Sequence, residues 1–227
     1  MNIGTIHKIP INETTAYLAG VIVGDGHIFG SHKSNVTKSK DYRITVEVID
    51  LEFLKVFELL IKSIISTKST TRERKVVRGN RKPLYYFQFR NKSFYYFLTS
   101  TLKIPSGKKS SLVIVPLQIY SSLKLQKFFL AGLFDTDGGI RGKTLGFTSA
   151  SKDLIKDVSK ILLNLEIKHY GDSWINNKYG TEFYGLRICA RDNDKFLNGL
   201  PMKNKRKQSK CFCHVGVPEW SNGLDNS

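Results

Sequence analysis

The chain has 227 residues, 41% hydrophobic and 24% charged, and its 36 lysines and arginines against 19 acids give a formal net charge of +17. This composition is typical of a folded globular protein and excludes an intrinsically disordered one. No apolar run reaches the roughly 18 residues of a membrane span and the N-terminus lacks a signal peptide, so we expect an intracellular protein with no membrane partner.

The positive charge is concentrated in two segments. Residues 66–109 contain twelve lysines and arginines and a single acid, Glu73, and a second basic run covers residues 203–210. A charge of this size attracts polyanions, of which nucleic acid is the commonest inside cells. A solvated basic face without a partner is the alternative, and a membrane surface fits less well because the basic residues alternate with aromatic and β-prone ones.

Two stretches of the chain share one order of predicted elements, which is helix, strand pair, helix, strand pair and helix. In the first stretch a helix begins near Ala16, after side chains that can cap it, and ends near Gly26. The later strands and helices of this stretch follow from alternating and three-to-four-residue apolar patterns. They cover residues 42–48, 51–60, 84–89 and 94–98.

The second stretch repeats this order and ends, like the first, on a proline followed by lysines. Its later elements cover residues 144–149, 153–163, 183–188 and 195–197. We therefore predict an α+β fold of two pseudo-symmetric αββαββα units that pack through their first helices. The units comprise residues 1–109 and 124–227, and residues 110–123 form a linker.

The first helix of each unit contains the same nine-residue phrase, LAGVIVGDG at 18–26 and LAGLFDTDG at 130–138. Each glycine costs a helix interior about 1 kcal/mol relative to alanine, so we expect a compensating contact. Small residues at four-residue spacing let two helices approach closely. The residues that would form this helix interface are Ala16, Gly20, Gly24, Gly132 and Thr136.

Helices packed in this way would bring Asp25 and Asp137 together at their C-terminal ends. The two carboxylates would repel each other and face the negative ends of two helix dipoles. Divalent cations with oxygen ligands would neutralise them and could support phosphodiester hydrolysis by activating water. Together with the basic surface, the pair predicts a nuclease in which each unit serves one strand of a duplex.

The two phrases closely resemble the motif of the LAGLIDADG homing endonucleases, in the single-chain form with two motifs. The resemblance spans nearly the whole chain and implies two antiparallel sheets that form a saddle over the major groove of double-stranded DNA. It also implies cleavage of one phosphodiester in each strand with Mg²⁺ or another divalent cation such as Mn²⁺. The metal ligands that it implies are Asp25 and Asp137, the eighth residues of the motifs, with Gly24 and Thr136 beside them.

The resemblance further implies polar or basic residues around the metal. Position six of the motif is often acidic, but it is Val23 in the first copy and Asp135 in the second, so we expect Asp135 at the surface or a helix end, without a catalytic role. We place the strand-end positions at Asp50 and Ser151. Lysines in the closing loops would stabilise the phosphate, orient water or simply contact a phosphate. The candidates are Lys108 or Lys109 and Lys205 or Lys207.

DNA contacts should come from the outward residues of the strands, because a two-stranded ribbon fits the major groove. The candidates in the first unit are Lys33, Arg43, Thr45, Glu47, Arg72, Arg74, Lys75, Arg78, Arg81, Gln88 and Arg90. The candidates in the second unit are Arg141, Lys143, Thr148, Trp174, Asn176, Lys178, Tyr184 and Arg187. The bases that they would contact depend on strand register, which the sequence leaves open.

Three activities agree with these features. The first is a site-specific DNA endonuclease. The second is a maturase that binds intron RNA on the same fold, and the third is a DNA-binding regulator with an inactive site, which the presence of both motif acids disfavours. We expect a monomer, because both motifs lie in one chain.

Overall fold

Two units with the same order of elements make up the computed structural model, which describes residues 8–29, 41–74, 83–141, 144–177 and 180–215. The first unit contains α1 (Glu13–Gly24), β1 (Gly26–Ile28), β2 (Arg43–Val48), α2 (Leu51–Ile64), β3 (Ser69–Arg74), β4 (Leu84–Arg90) and α3 (Lys92–Tyr96). The second contains α4 (Leu123–Asp137), β5 (Gly139–Arg141), β6 (Thr144–Ser149), α5 (Lys152–Asn164), β7 (His169–Asn176), β8 (Thr181–Ile188), α6 (Asn193–Gly199) and α7 (Lys205–Val215).

Each unit builds one four-stranded antiparallel sheet, in the order β1-β2-β4-β3 in the first unit and β5-β6-β8-β7 in the second. The predicted α+β fold of two αββαββα units is confirmed. The final helix α7 ends the second unit and differs from the prediction, which placed Lys205 and Lys207 in a closing loop. None of the helices in the described ranges is long and apolar enough to cross a membrane.

One face of each sheet packs against helices. In the first sheet Ile44 and Val46 of β2 and Phe87 of β4 are fully buried, and they alternate with residues that point to the other face. The second sheet repeats this pattern with Leu145 and Phe147 of β6. The buried residues of both units form one continuous hydrophobic cluster, which also includes α1 and α4.

Helix α1 begins three residues before the predicted Ala16. The side chain of Asn12 accepts a hydrogen bond from the backbone N–H of Thr15 at 3.0 Å, and Thr15 Oγ1 accepts one from the backbone N–H of Asn12 at 2.9 Å. This reciprocal cap fixes the start of the helix. In α4 the corresponding cap is Ser122, whose hydroxyl oxygen accepts from the backbone N–H of Leu125 at 3.1 Å.

Helices α1 and α4 pack against each other with their backbones in contact. A β-carbon on Gly20 would overlap the carbonyl oxygen of Phe129 and lie 2.8 Å from the backbone nitrogen of Leu133. A β-carbon on Gly132 would overlap the carbonyl oxygen of Tyr17 in the same way. These two glycines are therefore required at the crossing for steric reasons, which explains why a helix interior contains them despite their conformational entropy.

The segment between the units, residues 110–123, packs along the second unit. Val113 and Val115 are buried, and the hydroxyl group of Ser151 donates to the carbonyl oxygen of Val113 at 2.6 Å. A short 3₁₀ helix, Leu117–Ser121, then leads into α4. The sheet of each unit continues from the C-terminal end of its first helix, because β1 begins at Gly26 just after α1 and β5 begins at Gly139 just after α4.

Candidate active site

The two motif acids lie at the C-terminal ends of the helix pair. Asp25 directly follows α1 and Asp137 is the last residue of α4. A β-carbon on Gly24 would lie 3.3 Å from Asp137 Cγ and 2.9 Å from Thr136 Cβ. The carboxyl group from one unit therefore lies against the helix end of the other, and the acids from both units converge.

Electrostatics disfavour two ionised carboxylates in this position. Asp25 and Asp137 remain accessible to solvent, but the protein packed around them removes much of their hydration. This loss of hydration raises the pKa of Asp25 to about 6, with the charge of Asp137 adding to the rise and the charges of Lys207 and Lys109 opposing it. Desolvation also raises the pKa of Asp137. A bound cation would remove this penalty.

Lys109 occupies the end of the first motif helix. Its side chain is buried, with 8% exposure, and its ammonium group donates to the carbonyl oxygens of Val23 at 2.5 Å and Gly24 at 3.0 Å. These carbonyls belong to the last turn of α1, where a positive charge interacts favourably with the helix dipole. Burial lowers the pKa of Lys109 to about 8, while the charges of Asp137 and Asp25 oppose this change.

Lys207 takes the corresponding position in the second unit. Its ammonium group donates to the carbonyl oxygens of Phe134 at 2.9 Å, Thr136 at 2.6 Å and Gly138 at 2.8 Å, which end α4. Lys207 lies in α7 and not in a loop, so the expected location of this lysine was wrong. It lies in the first turn of α7, and its side chain extends from there to the end of α4. Burial lowers the pKa of this lysine, and the acids nearby oppose the change.

The other lysine in each pair of candidates has a different environment. Lys108 and Lys205 are exposed. Lys108 lines the same groove as Asp137, whereas Lys205 is the first residue of α7. The structure thus distinguishes the two lysines of each pair by burial and by contact with a motif helix.

The donor atoms at the helix ends suit a hard divalent cation. All of them are oxygens, from the carboxylates of Asp25 and Asp137 and from the carbonyls of Gly24 and Thr136. Each of these carbonyls already accepts one hydrogen bond from a lysine and has a second lone pair available. Across the described ranges no three His, Cys, Asp or Glu residues converge on one point. A site of two carboxylates completed by carbonyl, water or phosphate oxygens is typical of Mg²⁺.

The strand-end positions next to the acids differ from the predicted ones. Asp50 and Ser151 cap α2 and α5, and each accepts hydrogen bonds from backbone N–H groups at the start of its helix. Their predicted placement beside the metal was therefore wrong by three residues. Glu47 and Thr148 lie there instead. Glu47 lines one groove with Asp25 and its charge raises the pKa of that carboxyl group, and Thr148 lines the groove of Asp137.

Asp135 lies in the last turn of α4, which agrees with one of its two expected locations, a helix end, but it is buried and does not lie at the surface. Its exposure is 2%, and its Oδ2 atom accepts hydrogen bonds from the hydroxyl group of Tyr17 at 2.6 Å and from the backbone N–H of Lys203 at 2.7 Å. No local pattern predicts this partner, because Tyr17 lies 118 residues away and one position before the repeated phrase.

The face of the first sheet that points away from the helices carries the predicted DNA contacts. Register places Arg43 opposite Arg90, and Thr45 opposite Gln88, on neighbouring strands. The guanidinium group of Arg43 stacks on the ring of Phe29 at 3.6 Å. The candidates on this common face are Arg43, Thr45, Glu47, Arg72, Arg74, Gln88 and Arg90.

In the second sheet the outward face carries Thr148, Trp174, Asn176 and Arg187. Tyr184 points to the opposite face, so its assignment to DNA contact was wrong. It lies one residue out of phase, on the side of α5, where its hydroxyl group donates to Glu182 at 2.6 Å.

Six further candidates lie outside the described residues, as does the side chain of Arg141. They are Lys33, Lys75, Arg78, Arg81, Lys143 and Lys178.

Comparisons with known proteins agree with this architecture. Residues 124–198 match the model of the LAGLIDADG-like domain. The homing endonuclease I-DmoI of Desulfurococcus mucosus is 24% identical over 201 residues, covering 84% of this chain and 88% of the relative. A solved structure of I-DmoI in complex with DNA and Ca has a TM-score of 0.63 at 21% identity, covering 89% of this chain and 98% of that one.

A third match is to the replication factor C small subunit of Methanocaldococcus jannaschii, which is 28% identical over 201 residues. The matched region covers 88% of this chain and 10% of that protein. This chain is therefore similar to one segment of a much longer relative.

Proposed function

We propose that this chain, which has the two-unit LAGLIDADG fold and a LAGLIDADG-like domain over residues 124–198, is a site-specific endonuclease of double-stranded DNA. It hydrolyses one phosphodiester in each strand with divalent cations, Mg²⁺ or Mn²⁺. The observation that carries this proposal is the convergence of Asp25 and Asp137, one from each unit, at the C-terminal ends of the helix pair. The relative I-DmoI is named a homing endonuclease, and its solved structures include complexes with DNA and Ca, and with target DNA and Mn or Mg.

The outward faces of the two sheets bind the duplex. Their arginines neutralise phosphates, and their polar side chains reach base edges in the major groove. The strand positions nearest the acids are Glu47 and Thr148, so the bound backbone passes close to the helix ends. This arrangement places one phosphodiester at the C-terminal end of each helix of the pair.

Asp25 and Asp137, with the carbonyls of Gly24 and Thr136, would hold the cations. When bound, divalent cations supply a Lewis acid for the phosphate and an activated water. The lysines behind the helix ends, Lys109 and Lys207, keep the carbonyls oriented and add positive charge where charge develops on the phosphate.

Both half-sites belong to one chain, so the protein acts as a monomer, and its DNA target gives it an intracellular location. Binding of intron RNA remains the alternative activity for the same basic faces. The two are distinguished by competition with intron RNA and by a splicing assay, since splicing assistance does not depend on the motif acids.

The test begins with the full chain, a randomised duplex library and Mg²⁺, followed by sequencing of the cut ends. On the site found in this way, Asp25→Asn and Asp137→Asn should each reduce double-strand cleavage at least about a hundredfold, a loss of ~2.7 kcal/mol of transition-state stabilisation. Binding in the presence of Ca²⁺ should persist. Asp153→Asn, on the exposed surface of α5, is the control for loss of one negative charge. Full double-strand cutting by the Asp137→Asn protein would contradict the proposal.

A further inference from the structure

Asp135 is a buried acid with an incomplete set of partners. Its Oδ2 atom accepts from Tyr17 Oη at 2.6 Å and from the backbone N–H of Lys203 at 2.7 Å. Its Oδ1 atom is buried, and within the described part of the chain it has no hydrogen-bond partner. Burying a carboxylate in this way is costly, so fold stability alone does not explain an acid here.

The contacts of Asp135 lead to the start of α7. Its backbone carbonyl accepts from the side-chain amide of Asn204 at 3.2 Å. The side-chain oxygen of Asn204 in turn accepts from the backbone N–H of Lys207 at 3.0 Å, as a helix cap. Asp135 thus holds both residues before α7, Lys203 through its carboxylate and Asn204 through its backbone carbonyl.

Lys207 lies in the first turn of α7, and its ammonium group reaches the three carbonyls that end α4. A lysine side chain has four rotatable bonds and is positioned only as well as its backbone. The Asp135 carboxylate fixes the backbone of Lys203, and the next residue, Asn204, caps the turn that contains Lys207. The position of the ammonium group beside Asp137 therefore depends on the Asp135 side chain. The hydroxyl group of Tyr17, a residue of the first unit, donates to the same carboxylate and so also helps to fix Asp135.

The first unit lacks this arrangement. When the two phrases are aligned, Phe129 corresponds to Tyr17 and Val23 corresponds to Asp135, and both of these residues are buried. At the symmetry-related position of the helix crossing, an apolar pair therefore takes the place of the hydrogen-bonded pair. The loop before Lys109 is held differently, by a hydrogen bond from the backbone N–H of Gly107 to the carbonyl oxygen of Ile28 at 2.8 Å.

We propose that Asp135 is a positioning residue, which holds the ammonium group of Lys207 at the end of α4 and makes the two half-sites inequivalent. The inference rests on the proposed nuclease function. Loss of Asp135 should then slow cleavage of one strand and leave the other nearly unchanged. The sixth motif position, for which the sequence predicts no catalytic role, would in this chain act on the chemistry through a lysine of another helix.

The cleavage test uses a supercoiled plasmid with one target site, on which nicked and linear products are separated. Asp135→Asn should accumulate nicked plasmid, with the second cut slowed about tenfold, which corresponds to ~1.4 kcal/mol. The double variant Tyr17→Phe with Asp135→Val copies the apolar pair of the first unit and should behave in the same way while remaining folded. In a Lys207→Met background Asp135→Asn should add little further loss, as expected for coupled residues.

Ser122→Ala is the matched control, because it removes the cap at the far end of the same helix and costs about 1 kcal/mol. It should leave the ratio of nicked to linear plasmid unchanged. If Asp135→Asn slows both cuts equally, or gives the same ratio as Ser122→Ala, the positioning role is wrong.

A second readout does not depend on cleavage. Trace amine labelling read by mass spectrometry compares Lys207 with Lys109 in the same molecule, in wild type and in Asp135→Asn. Release of Lys207 should raise its labelling several-fold, while Lys109 stays constant. If the wild-type protein cuts no DNA the nuclease proposal fails, and the labelling ratio still decides the positioning role, since an unchanged ratio overturns it.

Discussion

The ammonium group of Lys109 lies 3.0 Å from the carbonyl oxygen of Gly24, the residue that precedes Asp25. The Lys109 side chain therefore binds the end of a motif helix, and its charge also favours the ionised form of Asp25. We expect Lys109→Met to leave the carbonyls of Val23 and Gly24 without this donor, at a cost of about 1 to 3 kcal/mol for each group left unsatisfied. The free energy of unfolding measured with urea and the cleavage rate should both fall. Lys108→Met, in contrast, should change the free energy of unfolding by less than about 0.5 kcal/mol. Equal effects of the two substitutions on unfolding would rule out a structural role for this hydrogen bond.

Gly20 tests the helix interface. Gly20→Ala should destabilise the protein by about 3 kcal/mol or more, because its methyl group meets the backbone of α4, which cannot move aside as a side chain could. Gly199→Ala is the control, since a β-carbon there meets nothing within 4 Å. Thermal unfolding of both variants gives the comparison, and a Gly20→Ala protein as stable as Gly199→Ala would contradict the close approach of the two helices.

The raised pKa of Asp25, about 6, makes a prediction for the metal-free protein. An acid whose pKa is higher in the folded state than in the unfolded state binds more protons when folded, so stability increases as pH falls through about 6 toward 4. Asp25→Asn should flatten this increase, and Asp153→Asn should not. Urea midpoints between about pH 5 and pH 7 in the presence of a chelator measure the effect. The interpretation is wrong if the wild-type and Asp25→Asn proteins have the same pH dependence.

Arg72 tests the DNA face. It is exposed on β3, on the outward side of the first sheet, and Arg72→Gln should reduce the slope of log affinity against log salt by about one. Lys55→Gln removes an equivalent charge from the helical side, where Lys55 pairs with Glu52 at 2.7 Å, and should leave the slope unchanged. Binding isotherms at several salt concentrations decide, and an unchanged slope for Arg72→Gln would remove this strand from the binding surface.

The features that could be predicted from the sequence are those that local patterns determine. The repeated phrase gave the helix pair, and small residues at four-residue spacing gave Gly20 and Gly132 as candidates for the contact. Alternation of apolar residues correctly put Arg43 and Gln88 on one face, because register in a sheet follows from which side is buried. The fold was predictable because the same pattern appears twice in the chain.

What the sequence could not give depends on contacts between distant segments. The sequence does not show which of two adjacent lysines, such as Lys108 and Lys109, is buried, because this depends on the conformation of the loop. The burial of Asp135 depends on Tyr17 of the other unit, and a shift of one residue in β8 was enough to misplace Tyr184. The strand ends were misjudged because Asp50 belongs to the helix that follows, where capping competes with the strand for the same side chain.

The contact between Gly20 and α4 has a consequence for any attempt to obtain an enzyme that nicks DNA. Both acids are attached to the ends of a single pair of helices, so damage at the crossing shifts the two acids together and should silence both cuts at once. A strand-selective enzyme must therefore be sought at the helix ends, where the two units already differ in sequence. The crossing is common to both reactions, and only the residues beyond it can be altered one strand at a time.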